Sequence, residues 1–183
     1  MPPVDSLLTL LVEELGQLYD AEHRLMKALP ALGDASSSAR LIRHIEEGGL
    51  ETETHISRLD QTFAALDEEI DRRASAVMKV LISDGEGRAT DEYEKGKLRD
   101  AAIIAAARQI QHYQIAAYSS AIGHAWALGE DEVAKLLNAT LHEEKAGDRR
   151  LKRIAERLVG HKGMRAYRAA VTDRVGAMTG SAK

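Results

Sequence analysis

The 183-residue chain contains no cysteine, which excludes disulfides, thiolate metal sites and cysteine nucleophiles. Of its three prolines, two stand in the first three positions, so the interior is almost free of helix breakers. Aromatic residues make up only 4% of the chain, and a core must be built from leucine, isoleucine and alanine. No apolar stretch approaches the roughly 20 residues that span a bilayer. The opening "MPPVDSLLTLLVEEL" lacks a basic segment and soon meets acids, so it does not read as a signal peptide. A net charge of -4 offers no general case for nucleic acid or an anionic membrane. The expectation is a soluble, cytoplasmic protein of about one domain.

What the chain does have is long helical periodicity, with no convincing alternating strand pattern. Leu7, Leu11, Leu15, Leu18, Leu25 and Leu29 step by threes and fours, and Glu22 fills the one gap. A second helix is expected from "GDASSSAR", capped by Asp34 or a serine. Its stripe runs Leu41, Ile45, Gly48, Glu51 or Thr52, His55, Leu59, Phe63 and Leu66. Gly48-Gly49 costs roughly 1 kcal/mol per glycine against alanine, which suggests close backbone approach or a local break. Residues 67–96 read as a crossover, with a short helix at "AVMKVLI" and a loop at "SDGEGRATD". The third helix, about 97–128, carries Ile103, Ala107, Ile110, Gln114, Ala117, Ala121, His124 and Leu128 inward. The fourth, about 130–159, carries Val133, Leu137, Leu141, Glu144, Asp148, Leu151, Ala155 and Leu158. The bundle is expected over 1–160, and 161–183 reads as a basic tail with a short helix and a disordered end.

Acids at mid-seam of four long helices point to a metal site in a bundle core, where ferritin-like proteins place glutamates and histidines. The candidate ligands are Glu22, Glu51, His55, Gln114, Glu144 and Asp148. Glu22 precedes Glu51 by 29 residues, and Gln114 precedes Glu144 by 30. The two hairpins therefore read as copies, with Gln114 in the place of Glu22. His55 and Asp148 each follow their glutamate by four, which keeps each pair on one helix face.

The segments "LYDAEHRLMKALPAL", "LETETHISRL", "RDAAIIAAARQIQHYQIAAYSSAIGHAWALG" and "AKLLNATLHEEKAGDRRLKRIA" resemble the YciF/YciE family of ferritin-like bacterial proteins, DUF892. The resemblance covers roughly residues 7–158. It implies an all-α, ferritin-like four-helix bundle with short extra helices between the second and third, often dimeric, in proteins associated with stress responses. It also implies a dinuclear metal site. This chain departs from the family at Gln111-His112-Tyr113-Gln114, where Glu-His-Tyr-Glu is the expected pattern, and at Gly48, where a larger residue is usual.

Two divalent cations would balance Glu22, Glu51, Glu144 and Asp148, with His55 neutral. A glutamine carbonyl still binds a hard cation, but it is neutral and does not bridge as a carboxylate does. The metal expected is iron or manganese, dinuclear or partly occupied. In one reading the site consumes a small oxidant, peroxide or dioxygen, with Glu51 and Glu144 bridging and Glu22, His55 and Asp148 terminal. In a second, the protein is a structural or interaction bundle with a degenerate site, and a third is iron storage in a cage. His112 and His124 read as structural, Tyr19, Tyr113 and Tyr118 as packing residues, and Glu46, Glu47, Glu53 and Glu143 as wet helix faces. "GEGRAT" is too short for a phosphate loop.

Overall fold

A computed structural model describes residues 6–179, with side chains placed through Leu158. Five helices occupy these residues: α1 Leu7–Ala35, α2 Ala39–Ala65, α3 Ala76–Arg88, α4 Lys97–Leu128 and α5 Asp131–Thr179. No strand occurs among them. None of the helices is long and apolar enough to cross a membrane.

Four helices make the bundle. α1 packs on α2 and α4, and α5 completes the square against α2 and α4. The inward stripes account for this, because Leu11, Leu15 and Leu18 of α1 meet Leu59 and Phe63 of α2, Ile122 of α4 and Leu137 of α5. At the other end Leu32, Leu41, Ile45, Ile103 and Leu151 form a second apolar cluster. The order in which each helix passes these clusters makes neighbours antiparallel, with α2 and α4 running the same way on one diagonal. The α2–α4 connection therefore traverses the length of the bundle. All-α, ferritin-like architecture is thus what the leucine stripes build.

α3 lies in that crossover. Its Met78 and Ile82 pack with Ala21, Leu25 and Ile110 over the α1–α4 face. Here the structure differs from the expected loop at residues 83–88, since helix continues to Arg88 and is the one helix between α2 and α4. Gly85 is buried against the Ala106 methyl group, and Arg88 pairs with Asp84 one turn back at 2.8 Å. Packing and that pair outweigh the weak helix propensity of two glycines.

The crossover is tied to α1 by groups that the apolar stripes do not include. Asp20 is 3% exposed and accepts from Arg24, from Arg72 Nε at 2.9 Å and from the Ser75 backbone N–H at 2.9 Å. The Gly16 carbonyl accepts the Arg73 backbone N–H at 3.2 Å, and a Cβ at Gly16 would collide with the Asp71 carbonyl. Gly48 and Gly49 neither break α2 nor admit another backbone, because helix runs through them and nothing lies within 4 Å of either would-be Cβ.

The helix ends also have local causes. α2 starts after Ser38 without a side-chain cap. Asp34 lies inside α1, and Asp100 of α4 accepts the Ser37 N–H at 2.7 Å. Gly129, at φ 80, closes α4 in the left-handed conformation. Gly160, at φ 78 and ψ 162, interrupts the last helical run, which resumes to Thr179. Of the tail 161–183, expected as a short helix with a disordered end, residues 180–183 lie outside the described residues.

The Gly16 contact generates a paired prediction. Gly16→Ala is expected to destabilise the fold by about 1–3 kcal/mol through backbone overlap. Gly123→Ala, at an exposed and open mid-helix site of α4, is expected to stabilise it by about 0.5–1 kcal/mol. Urea denaturation of the two variants measures both signs.

Candidate metal site

Between the two apolar ends of the bundle, one polar layer crosses all four long helices. α1 supplies Glu22, 0% exposed, α2 His55 at 2%, α4 Gln114 at 0% and α5 Glu144 at 4%. One ligand atom each of Glu22, His55 and Glu144 lies within 4.8 Å of the others. His55 Nδ1 stands 3.4 Å from Glu22 Oε1 and 3.4 Å from Glu144 Oε1.

Each member is held by a neighbour. Glu22 Oε1 accepts from Gln114 Nε2 at 2.9 Å and from the Tyr118 hydroxyl at 2.8 Å. Glu144 Oε2 accepts a long bond from Gln111 Nε2 at 3.4 Å. His55 Nε2 faces Glu143 Oε2 at 3.0 Å, and Arg58 grips Glu143 with both terminal nitrogens at 2.5 and 2.9 Å. A carboxylate at Nε2 favours the tautomer with its proton there and leaves Nδ1 as a lone pair toward Glu22 and Glu144.

Several inward atoms have no hydrogen-bond partner: Glu22 Oε2, His55 Nδ1, Gln111 Oε1 and Gln114 Oε1. An unpaired buried acceptor costs about 1–3 kcal/mol, so the three oxygens, Glu22 Oε2, Gln111 Oε1 and Gln114 Oε1, call for a ligand that accepts lone pairs. The donor set, carboxylate, carboxylate, imidazole and amide carbonyl, suits a divalent first-row cation. The two 3.4 Å spacings match ligand pairs in a tetrahedron with bonds of about 2.1 Å. These residues could hold a metal ion.

Glu51 and Asp148 stand outside this cluster. Both Glu51 oxygens accept from Arg150 Nη2, at 2.7 and 2.8 Å. Asp148 accepts from Arg108 Nε at 2.7 Å and lies 3.4 Å from His112. Of the six residues expected as ligands, four share the layer and two are neutralised by arginine. Glu51 does line the same cavity as Gln111, Gln114 and Glu144.

The protonation states follow from the crowding. For His55, burial disfavours the charged ring, but the contact and charge of Glu22 and the charges of Glu144 and Glu143 outweigh it and raise the pKa to about 9. Burial, with the charge of Glu22 next, raises Glu144 above the ordinary carboxylate range, against the opposing effects of His55 and Gln111. The Tyr118 hydroxyl is pushed well above 10, first by burial and then by Glu22. Without a cation, this layer retains protons that ligands must release.

Three site residues escaped the sequence reading. Tyr118 follows Gln114 by four, one turn along the same stripe, and a buried tyrosine needs a partner for its hydroxyl. The stripe as drawn passed through Ala117 and Ala121 instead. Glu143, expected on a wet face, orients His55. Gly147 has no side chain because a Cβ there would occupy the Gln111 amide, a fit visible only across two helices. His124, expected to be structural, bonds Glu14 at 2.8 Å.

Comparison with known proteins agrees with this architecture. A family model described as a domain of unknown function, DUF892, matches residues 6–163. Protein YciF of Escherichia coli strain K12 is 37% identical over 149 residues, 81% of this chain and 89% of that protein. The crystal structure of the E. coli stress protein YciF superposes with a TM-score of 0.83 at 33% identity, covering 85% of this chain and 98% of that one. YcfI of Rhodopseudomonas palustris, described as a candidate structural protein, gives 0.80 at 31% identity over 82% and 96% of the two chains.

The protonation states predict the pH response of the metal-free protein. His55 keeps its proton to about 9 in the fold against 6.5 as its ordinary value, so the stabilisation it provides is lost as pH rises through that window. Glu144 is also raised, and stability falls with rising pH wherever the fold binds a proton that the unfolded chain has released. Burial lowers His23 and His44, and their opposite contributions are complete by neutral pH. Between about pH 7 and 9 the metal-free melting temperature is expected to fall by several degrees. Calorimetry across that range measures the slope, and saturating metal, by replacing the protons, is expected to flatten it.

Proposed function

This chain belongs to the DUF892 family, and from that membership and the buried Glu22–His55–Glu144 cluster we propose that it is a ferritin-like, metal-binding protein of the YciF type. The observation that carries the reading is the set of unpartnered oxygens of Glu22, Gln111 and Gln114 beside the His55 ring in one buried layer. Iron or manganese suits these oxygen and nitrogen donors. Glu22, His55 and Glu144 would hold the first metal ion, with the Gln114 carbonyl available as a neutral fourth donor. A second position calls on Glu51 and Asp148, both engaged by arginines. It would therefore be the weaker one and would leave a dinuclear centre partly occupied.

A bound iron or manganese would supply redox chemistry and an open coordination position for peroxide or dioxygen. The chain's own residues do the rest. Gln114 and Tyr118 hold Glu22, Glu143 and Arg58 hold the His55 ring, and the apolar clusters at both ends exclude bulk water. We assign it to the cytoplasm, to the stress responses for which its E. coli relative is named, and to a homodimeric state.

A structural role is the second reading, favoured by the arginines on Glu51 and Asp148 and by the description of YcfI. Metal uptake separates the two. Metal-free protein titrated with manganese(II) or iron(II) under argon is expected to take up about one tightly held ion per chain and to melt higher by mass action. His55→Ala and Glu144→Gln are expected to lose that uptake. Gln114→Glu is expected to bind metal more tightly while melting lower without it, because a third carboxylate then joins Glu22 and Glu144 in the layer. No uptake and an unchanged melting temperature in wild-type protein would leave the structural role standing.

A further inference from the structure

A cavity of about 60 Å³ opens off the polar layer. Apolar side chains line it over several turns, with Leu25 and Leu29 from α1, Ile45 from α2, Ile103 and Ile110 from α4 and Leu151 from α5, while α2 adds the polar His44, Glu51, Thr52 and His55. Its inner end meets Gln111, Gln114 and Glu144. At roughly 10–15 Å³ for each water-sized group, it accommodates about four to six such groups. Along the leucine and isoleucine side of the cavity water has few partners, whereas methylene groups would bury their surface.

Gly48 is the independent observation. A mid-helix glycine costs roughly 1 kcal/mol against alanine, and α2 gains no close contact in return, because nothing lies within 4 Å of its would-be Cβ. Gly48 lines this cavity, on the face that continues through Glu51 and Thr52 to His55. Its missing side chain is cavity volume. At the inner end, the Gln111 and Gln114 side-chain carbonyls are buried acceptors without donors, and Gln114 is fully buried. The carboxylates there disfavour an anionic head group, and a neutral hydroxyl supplies the donor that the two amide oxygens lack.

We propose that this cavity binds a short, unbranched aliphatic alcohol, its chain along the apolar walls past Gly48 and its hydroxyl donating to Gln111 or Gln114. A chain of about five carbons matches the volume. The inference deepens the metal-site reading by naming a ligand class for the same cavity, and it rests on that reading only for what the hydroxyl is presented to.

Ligand-observed NMR with 1-pentanol, on metal-free and manganese-loaded protein, tests it. Saturable binding is expected for the wild type and for Gly49→Leu, which adds the same side chain at the neighbouring glycine outside this cavity. Loss of binding is expected for Gly48→Leu and for Ala107→Leu, which fill the cavity from opposite walls, with folding of each confirmed by circular dichroism. The isomer 2,2-dimethyl-1-propanol, too wide for the channel, and pentanoate, anionic, are expected not to bind. Absence of saturable binding to wild-type protein, retention by both cavity-filling variants, or equal binding of the branched isomer or of pentanoate overturns the proposal. Pentanol binding without manganese uptake removes the metal reading and sustains this one, whereas manganese uptake without pentanol binding does the reverse.

Discussion

The charge of Glu22 is the constraint around which the core is organised. A fully buried carboxylate is costly to leave without hydrogen bonds or a counter-charge. α4 supplies two hydrogen bonds, from Gln114 and Tyr118, and α2 supplies the His55 ring. Glu144 adds a second carboxylate to the same layer, so the compensation is incomplete and protons are retained on His55 and Glu144. A divalent cation is the economical replacement for those protons. The α4 amides add no negative charge to the layer and supply donors to its carboxylates, Gln114 to Glu22 and Gln111 to Glu144.

The rest of the molecule keeps this layer dry and in register. Leucine stripes close the bundle on both sides of it, and α3 covers the α1–α4 face. The crossover is held on α1 by the buried Asp20 and by the close approach at Gly16. Those contacts matter to the site indirectly, because they fix the helix that carries Glu22. Arg58 and Glu143 act more directly, orienting His55 from the half-exposed side of the bundle.

Much of this is legible in the sequence because helical periodicity is a local property. The stripes place Leu11, Leu15, Leu59, Phe63, Ile103 and Leu137 in the core, and they put Glu22, His55, Gln114 and Glu144 inward. What periodicity does not resolve is direction finer than one helical step. Thr52 is buried and its neighbour Glu51 only half so, and Asp148, on the same stripe as Glu144, turns to Arg108. Those differences depend on which arginine a neighbouring helix presents, a non-local fact. Tyr118 was within reach, one turn beyond Gln114, whereas the pairing of Gly147 with Gln111 has no trace in either segment alone. The loop reading of residues 83–88 failed for a related reason, since the packing of Gly85 against Ala106 of α4 is a contact between distant segments.

The account depends most on where a metal binds. Crystals of the protein prepared with manganese(II) or iron(II), measured at the absorption edge of that metal, give the answer as an anomalous difference map. The account predicts a strong peak between Glu22, His55 and Glu144, with a weaker peak or none beside Glu51. A map without a peak in that layer, or with its principal peak at Asp148 or on the surface, contradicts it.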